Sequence, residues 1–330
     1  MTQPGYPRLV ADVGGTNVRF GLVRSADAPV ADVISFVCAE FVSIEAAASA
    51  YLKRIAETDG SPPQPRSAAI ALASAIRGPV VKMTNSPWTI SRDSLAAVLG
   101  VHDVLLLNDF EALALALPRL TDAETRWIGA ARADPKLPMA VIGPGTGLGV
   151  SSCVPVAGGW IALAAEGGHV TACATDDFES ELLRVLRAEH MHVSAERVLS
   201  GIGLPELYGA VCRVRGSVAA ELDARAIFER ARSGTDADCR ATRDTFCAML
   251  GSFAGNVALT IGARGGVFVA GGIAQWLGDE LVTSRFRECF DAKGRFASYM
   301  ARIATGLITA PHATLTGAAQ ALDKRSAGPH

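Results

Sequence analysis

The feature of this sequence that most constrains its fold is a strand–glycine turn–strand unit that occurs twice. Apolar, β-favouring residues fill Leu9–Val13, a Gly-Gly pair interrupts them, and a returning strand is predicted over Val18–Val23. The pattern of Val10–Gly21 recurs at Val141–Ser152, again with a glycine-rich turn between two apolar strands. We interpret this recurrence as a weak internal duplication of one structural unit.

Chain length predicts two domains. The chain has 330 residues, whereas a single hydrophobic core stops growing at about 250–300 residues. A helix predicted after the strand Val104–Leu107 ends at Pro118, and we place the domain boundary there. The prediction is therefore a small α/β domain over residues 1–118, completed by a C-terminal helix at about 310–330, and a large α/β domain over residues 119–309.

Composition excludes several classes of function. The net charge is −2 without a long run of one sign, so no nucleic-acid partner is expected. Seven scattered cysteines without CxxC spacing argue against a disulfide scaffold or a structural zinc site, and they suit a reducing cytoplasm. The N-terminus lacks the pattern of a signal peptide. The most apolar region, Phe253–Leu277, contains Asn256 and Arg264, so it predicts a buried helix, a loop and a strand, with no membrane partner.

The first glycine turn is a candidate phosphate site. Glycines after a strand let backbone N–H groups approach a phosphate, and Thr16 adds a hydroxyl donor. Asp12 is the candidate Mg²⁺ residue, acting through water, because Mg²⁺ keeps part of its hydration shell. The alternative is a hairpin whose Gly-Gly pair only makes the turn. The predicted nucleotide contacts here are Ala11, Asp12, Val13, Gly14, Gly15 and Thr16.

Two further glycine segments extend the predicted nucleotide site. Four glycines lie in the seven residues Gly143–Gly149, which is more than a hairpin needs, so a second phosphate turn is predicted. A third buried strand, Val267–Ala270, ends in a glycine pair against which an adenine ring could lie, although a strand–turn–helix junction would also explain the pair. The predicted contacts are Gly145, Thr146, Gly147, Gly271 and Gly272.

Polar residues at three places are candidates for binding and activating a hydroxyl compound. Asn108 and Asp109 follow a buried strand, which is where ligands bind in open α/β sheets. Asp109 could accept a proton from an attacking alcohol, and the alternative role is N-cap of the next helix. Glu166 and His169 flank two glycines and could converge on sugar hydroxyls. Glu196, on residue chemistry alone, is a solvated helix charge.

Taken in order, these segments resemble those of the bacterial glucokinase family, over roughly residues 9–322. The resemblance implies two ribonuclease-H-like α/β domains flanking an interdomain cleft, as in the actin-like and hexokinase-like ATPases, and commonly a homodimer. It implies catalysis by Asp109. The implied glucose contacts are Asn85, Asn108, Asp109, Glu166, His169 and Glu196. Departures include Ala164-Ala165 before Glu166, where the family usually has Pro-Gly.

The resemblance predicts a cytoplasmic glucokinase that uses ATP and Mg²⁺ to convert D-glucose into glucose 6-phosphate, the first step of glycolysis. Two alternatives remain open. One is a kinase for another aldohexose, such as mannose or an N-acetylated amino sugar. The other is a sugar-sensing regulator that binds without catalysis.

Overall fold

The computed structural model describes residues 5–26, 28–84 and 86–326. The described residues cluster in two compact units. The first lies within Met1–Arg119, Pro155–Ala164 and Pro311–His330. The second lies within Leu120–Val154 and Ala165–Ala310.

The strands are short and occur along the whole described chain. In order they are β1 (Arg8–Val13), β2 (Asn17–Val23), β3 (Ala31–Val37), β4 (Ser67–Leu72), β5 (Val80–Lys82), β6 (Thr89–Ser91), β7 (Asp103–Asn108), β8 (Thr125–Trp127), β9 (Met139–Pro144), β10 (Leu148–Val156), β11 (Gly159–Ala165), β12 (Gly266–Val269) and β13 (Thr305–Ile308).

Most α-helices follow β10, and the longest of them belongs to the second unit. In order they are α1 (Ile44–Asp59), α2 (Arg92–Leu99), α3 (Asp109–Ala116), α4 (Asp177–Arg187), α5 (Ala195–Val198), α6 (Leu204–Arg215), α7 (Ala224–Ser233), α8 (Ala237–Ile261), α9 (Gly272–Leu277), α10 (Asp279–Thr283), α11 (Phe286–Asp291), α12 (Ala297–Met300) and α13 (Ala313–Ser326).

The internal duplication predicted from the glycine turns is confirmed by the strand order of the two main sheets. The first sheet runs β3-β2-β1-β4-β7, and the second runs β11-β10-β9-β12-β13-β8. In each sheet the strand before the glycine turn pairs antiparallel with the strand after it, β1 with β2 and β9 with β10. On its other side each of these strands pairs parallel with a later strand, β1 with β4 and β9 with β12. The second sheet adds β8 at its far edge.

The first sheet is covered on both faces because its central strands are apolar on both sides. On one face Leu9, Ile70 and Val104 belong to the core cluster that includes residues of α1 and α2. On the other face Val10, Ala69 and Leu107 pack in a cluster with α3 and α13. The chain therefore enters α3 from a strand held between two apolar layers, and this fixes the position of Asn108 and Asp109 at its end.

The apolar region Phe253–Leu277 forms the end of α8, a loop and β12, as predicted, and then the short helix α9, which was not predicted. Helix α8 is long and apolar enough to cross a membrane by length and composition, but most of its apolar stretch is buried inside the protein. Its residues Phe246, Leu250 and Ala254 are fully buried in the core of the second unit. This is the environment of a core helix in a soluble protein.

Candidate active site

The junction between β7 and α3 holds two of the predicted sugar-site residues. Asn108 is the N-cap of α3, and its Oδ1 accepts hydrogen bonds from the backbone N–H groups of Phe110 at 2.9 Å and Glu111 at 3.3 Å. The carboxylate of Glu111 in turn accepts the N–H of Asn108 at 3.0 Å. This reciprocal capping box fixes the point where the chain changes from strand to helix.

The cap corrects one alternative drawn from the sequence, in which Asp109 is the N-cap. The cap is Asn108, whose amide also donates to the backbone carbonyl of Ser74 at 3.3 Å. Asp109 is the first helical residue, and its carboxylate accepts the N–H of Phe110 at 2.9 Å. Because Asn108 already caps the start of α3, Asp109 is not needed for that purpose.

Asp109 has an unusual titration for an aspartate. Burial, followed by the nearby charge of Asp12, raises the pKa of Asp109 to about 7, against the opposing hydrogen bonds from backbone N–H groups and Asn108. A carboxyl group with a pKa near neutrality is suited to accept a proton at neutral pH. Strongly shifted carboxyl groups at strand ends are candidates for function, since burying them costs stability.

Asp12 lies in β1 directly opposite Arg19 of β2. The guanidinium of Arg19 donates to Asp12 Oδ2 at 3.1 Å, and the Asp12 side chain keeps 19% of its exposure. Burial raises the pKa of Asp12 above its usual value, while Arg19 and, more weakly, His312 act against the rise. The Nδ1 atom of His312 is buried and has no hydrogen-bond partner among the described residues. Sequence reasoning assigned no role to Arg19 and missed His312.

The first glycine turn is closed by a hydrogen bond from the N–H of Gly14 to the carbonyl of Asn17 at 2.9 Å. A Cβ atom on Gly14 would meet Asn17 O at 3.5 Å, an ordinary contact, so packing alone does not require glycine there. The side chains of Ala11 and Val13 are fully buried in the core, which leaves only their main chain for a nucleotide. Thr16 is exposed.

In the second unit, Glu166 and His169 occupy one short turn. Residues Gly167–His169 form a single 3₁₀ turn that Glu166 precedes, and the N–H of His169 donates to Glu166 O at 3.0 Å. The side chain of His169 is 63% exposed, and its Nδ1 lies 4.0 Å from Glu196 Oε1. A β-bridge between Thr171 and Ser194 joins this segment to the one that begins α5. His169 and Glu196, which the family resemblance implies as glucose contacts, therefore lie close together.

Glu196 also contacts the second glycine turn. Its Oε2 accepts the N–H of Leu148 at 2.8 Å. A Cβ atom on Gly147 would lie only 2.4 Å from that same oxygen, so a side chain at this position would displace the Glu196 carboxylate. Glu196 is thus hydrogen-bonded to the second glycine turn and is not a solvated helix charge. The sequence offered no indication of this contact, because the two segments are far apart along the chain.

The glycines of the second turn and of the predicted adenine site are glycines for different reasons. Gly271 has a φ of +88°, and its Cβ would lie 2.5 Å from Pro144 O, so the fold itself requires glycine where β12 turns into α9. Gly145 and Gly272 would meet nothing within 4 Å. The N–H of Gly201 donates to Gly145 O at 2.8 Å and anchors the second turn. Open space beside Gly145 and Gly272 suits the close approach of a ligand.

Each unit therefore brings together part of the predicted site. The first unit gathers Asp12 and Asp109, with Asn108 at the cap of α3. The second gathers His169 and Glu196 with the turn at Gly147, and Glu166 at the start of the same 3₁₀ turn as His169. Asn85, the remaining predicted sugar contact, lies outside the described residues.

The repeated strand order and the two glycine turns define an actin-like ATPase fold, and the carboxylates at the strand ends suit a sugar kinase. The glucokinase family model matches residues 9–325. A glucokinase from Aromatoleum aromaticum is 44% identical over 98% of this chain and 96% of its own length. A crystal structure of glucokinase from an Antarctic psychrotroph has a TM-score of 0.89 at 37% identity, covering 96% of this chain and 99% of that one.

The chain belongs to the glucokinase family, and it is a hexose kinase with glucokinase function. Family membership favours this enzyme over the non-catalytic sugar regulator. A more distant structure shares the fold, with a TM-score of 0.61 at 18% identity, covering 96% of this chain and 99% of that one. It is a ROK family glucokinase from Streptomyces griseus in complex with glucose and AMPPNP.

Proposed function

We propose that the chain transfers the γ-phosphoryl group of ATP to the 6-hydroxyl of D-glucose, with Asp109 as the general base. The observation that carries this proposal is the buried Asp109 carboxyl, with its pKa raised to about 7, at the end of a strand where Asn108 already caps the helix. Asp109 is thereby available for proton transfer. Bound glucose and AMPPNP in a structure of the same fold support the choice of substrates.

In the proposed reaction the Asp109 carboxylate accepts the proton of the 6-hydroxyl as the oxygen attacks the γ-phosphorus. The bond from that phosphorus to the β,γ-bridging oxygen breaks, and ADP leaves. Glu166, His169 and Glu196 hold the sugar through its other hydroxyls. Asn108, which precedes Asp109, is the remaining proposed glucose contact in the first unit. Backbone N–H groups of the two glycine turns bind the phosphates. Catalysis then depends mainly on positioning the reactants and stabilising the charge that develops.

The residues at the first turn fit a magnesium ion. Asp12 offers a carboxylate oxygen that is partly exposed, and Mg²⁺ in kinases is commonly held by one or two carboxylates together with substrate phosphates and water. No group of three or more ligand residues that could hold a metal occurs within the described part of the chain. When bound, Mg²⁺ supplies charge neutralisation on the phosphates. Asp12 would hold it through water, and Arg19 orients the Asp12 carboxylate.

The test is a coupled assay with glucose, ATP and Mg²⁺ on the parent protein and on Asp109→Ala. Loss of a general base costs about 10²–10⁴-fold in rate, so turnover should fall by that factor while glucose still binds in calorimetry. Turnover within twofold of the parent at saturating substrates would remove Asp109 from this role. We further propose a homodimer that acts in the cytoplasm at the first step of glycolysis.

A further inference from the structure

The second unit contains a cavity of about 420 Å³ that is separate from the predicted nucleotide contacts. One wall is the inner part of α8, including Met249 and Phe253. The opposite wall comes from the segment after β11 and from α5. A volume of this size lies within the range of about 300–1,000 Å³ that is usual for small-molecule sites.

The cavity lies against the main chain that carries the three sugar-binding side chains. Ala165 and Gly167 line the cavity and are the chain neighbours of Glu166. Val170 lines it and follows His169, and Ala195 lines it and precedes Glu196. Glu166, His169 and Glu196 are not themselves among the lining residues. A molecule in the cavity would therefore touch the backbone of the sugar half-site without occupying the place of the sugar.

The lining favours a small molecule over a second protein. Among the large apolar side chains of the lining, only Val170 is exposed, at 52%. The others face inward and are buried or half-buried, so they offer little flat apolar surface for an interface. Stable protein interfaces need about 800 Å² from each partner. Inward-facing apolar groups around a concave space suit the apolar body of a small ligand.

Lys293 is not itself a lining residue, but its ammonium group bonds to one, and we infer the charge of the ligand from it. Lys293 Nζ donates to Ser252 O at 3.1 Å and to Ser252 Oγ at 3.2 Å, and Ser252 lines the cavity. Burial lowers the pKa of Lys293 below its usual value. Lys293 forms no ion pair with any residue that the structure describes, so its charge is uncompensated by a carboxylate. A half-buried ammonium group without a counter-ion favours an anionic ligand.

We propose that this cavity is an effector site for a small organic acid with an apolar, aromatic-sized body, and that its occupancy changes the affinity for the sugar. The effect on the sugar rests on the proposed roles of Glu166, His169 and Glu196, whereas binding itself does not. Because the cavity borders the sugar segments, its ligand acts on the glucose KM and leaves the ATP KM nearly unchanged.

Binding is tested with two fluorescent probes of matched shape. 8-Anilinonaphthalene-1-sulfonate is an aromatic acid, and N-phenyl-1-naphthylamine is its neutral counterpart. We expect saturable binding of the sulfonate at one site per chain. Lys293→Met should weaken binding of the sulfonate at least fivefold and binding of the neutral probe less than twofold. Equal effects on both probes, or no saturable binding to the parent protein, would overturn the proposal.

The location is tested with two neighbouring positions on α8. Thr260 is exposed and lines the cavity. Thr260→Trp should therefore cover the mouth of the cavity and weaken binding of the sulfonate at least tenfold. Leu259 is 38% exposed and does not line it, so Leu259→Trp is the matched control and should bind normally. Equal losses in both variants would contradict the assignment. So would a changed oligomeric state in Thr260→Trp alone, measured by analytical ultracentrifugation, because it would show that a second copy covers this site.

The link to the sugar is tested by kinetics in the parent enzyme. Saturating sulfonate probe should change the glucose KM at least threefold and the ATP KM less than 1.5-fold, and Thr260→Trp should abolish the change. Complete competitive displacement of the probe by glucose would place the probe in the sugar site and overturn the proposal. Binding that leaves the glucose KM unchanged would refute the effector role while leaving the proposed catalytic mechanism intact.

Discussion

At the scale of single residues, Asp12 and Asp109 are both held in surroundings that oppose their ionisation. Asp109 is half-buried near the charge of Asp12, and the Arg19 guanidinium offsets part of the unfavourable charge only at Asp12. Strain or unfavourable charge of this kind is retained where function needs it, and it lowers stability. The stability that the protein loses when Asp109 ionises can be measured through the pH dependence of its unfolding.

We predict that Asp109→Asn stabilises the free protein, and more at pH 8 than at pH 5. The pKa of Asp109 is raised from 3.8 to about 7 on folding, so the folded state binds the proton that the unfolded state has released. Stability from this group is complete below pH 3.8 and falls as pH rises through about 7. We expect a gain of about 1–3 kcal/mol at pH 8, measured by thermal unfolding.

Asp93→Asn is the control, because its side chain is 82% exposed. Its effect on the unfolding temperature should be the same at pH 5 and at pH 8. An Asp109→Asn variant that behaves like this control would show that the Asp109 carboxyl ionises as freely as an exposed one.

The second glycine turn supplies another prediction at this scale. A methyl group on Gly145 would meet nothing within 4 Å, so Gly145→Ala should fold with an unchanged unfolding temperature. If phosphate occupies that open space, the methyl group should weaken ATP binding at least tenfold and leave glucose binding within twofold, measured by calorimetry. Unchanged ATP affinity in the folded variant would assign the turn a purely structural role.

At the scale of elements, the position of Asp109 depends on the packing of α3 against α13. The two helices approach so closely that a Cβ atom on Gly317 of α13 would lie about 1.6 Å from Ala112 O of α3. Leu115 of α3 and Leu322 of α13 are buried in the same cluster. The capping box at Asn108 sets the start of α3, and this contact sets its distance from α13.

Gly317→Ala should therefore destabilise the protein by about 2–3 kcal/mol, because an added methyl group overpacks a close helix contact. Gly209→Ala in α6 is the matched control, since a Cβ there meets nothing within 4 Å, and it should be stabilising by about 0.5–1 kcal/mol. Chemical denaturation measures both. A cost below about 0.5 kcal/mol for Gly317→Ala would mean that the helices separate without penalty.

Which elements could be predicted from sequence depended on the strength of their local pattern. The glycine-bounded strands were predicted close to their observed bounds because their apolar runs are continuous. The edge strands β3 and β11 were missed, since many of their residues are exposed and the apolar pattern is weak. The choice of Asn108 over Asp109 as N-cap was equally invisible, because both residue types cap helices well.

At the scale of the whole chain, the duplicated strand order explains why the predicted chemistry falls at corresponding strand ends. Asp12 lies in β1 just before the first turn, and Gly145 lies just after β9 in the second turn. This correspondence could be predicted from the repeated motif. The hydrogen bond from Leu148 to Glu196 could not, because contacts between residues 48 positions apart depend on tertiary packing. The same holds for the pairing of His169 with Glu196.

The proposed sugar selectivity rests on the hydrogen-bond acceptors that the second unit presents. Glu196 uses Oε2 for Leu148, while Oε1 lies 4.0 Å from the exposed His169 ring and remains open to a hydroxyl. A site built to bond a hydroxyl leaves its own polar groups unpaired when an analogue lacks that hydroxyl. An N-acetyl group at C2 would also add bulk beside Glu166 and His169. We therefore predict that glucose exceeds 2-deoxyglucose, mannose and N-acetylglucosamine in kcat/KM, by about tenfold or more.

His169→Ala tests the origin of that preference. Removing the imidazole should shrink the ratio between glucose and the other three sugars, because one of the groups that distinguishes them is gone. The ATP KM should stay nearly unchanged, since His169 contacts neither glycine turn through a described hydrogen bond. Steady-state kinetics with four sugars decide the matter. A parent enzyme that prefers mannose or N-acetylglucosamine would overturn the assignment of glucose as substrate, whereas an unchanged ratio in His169→Ala would move the source of selectivity to Glu166 and Glu196.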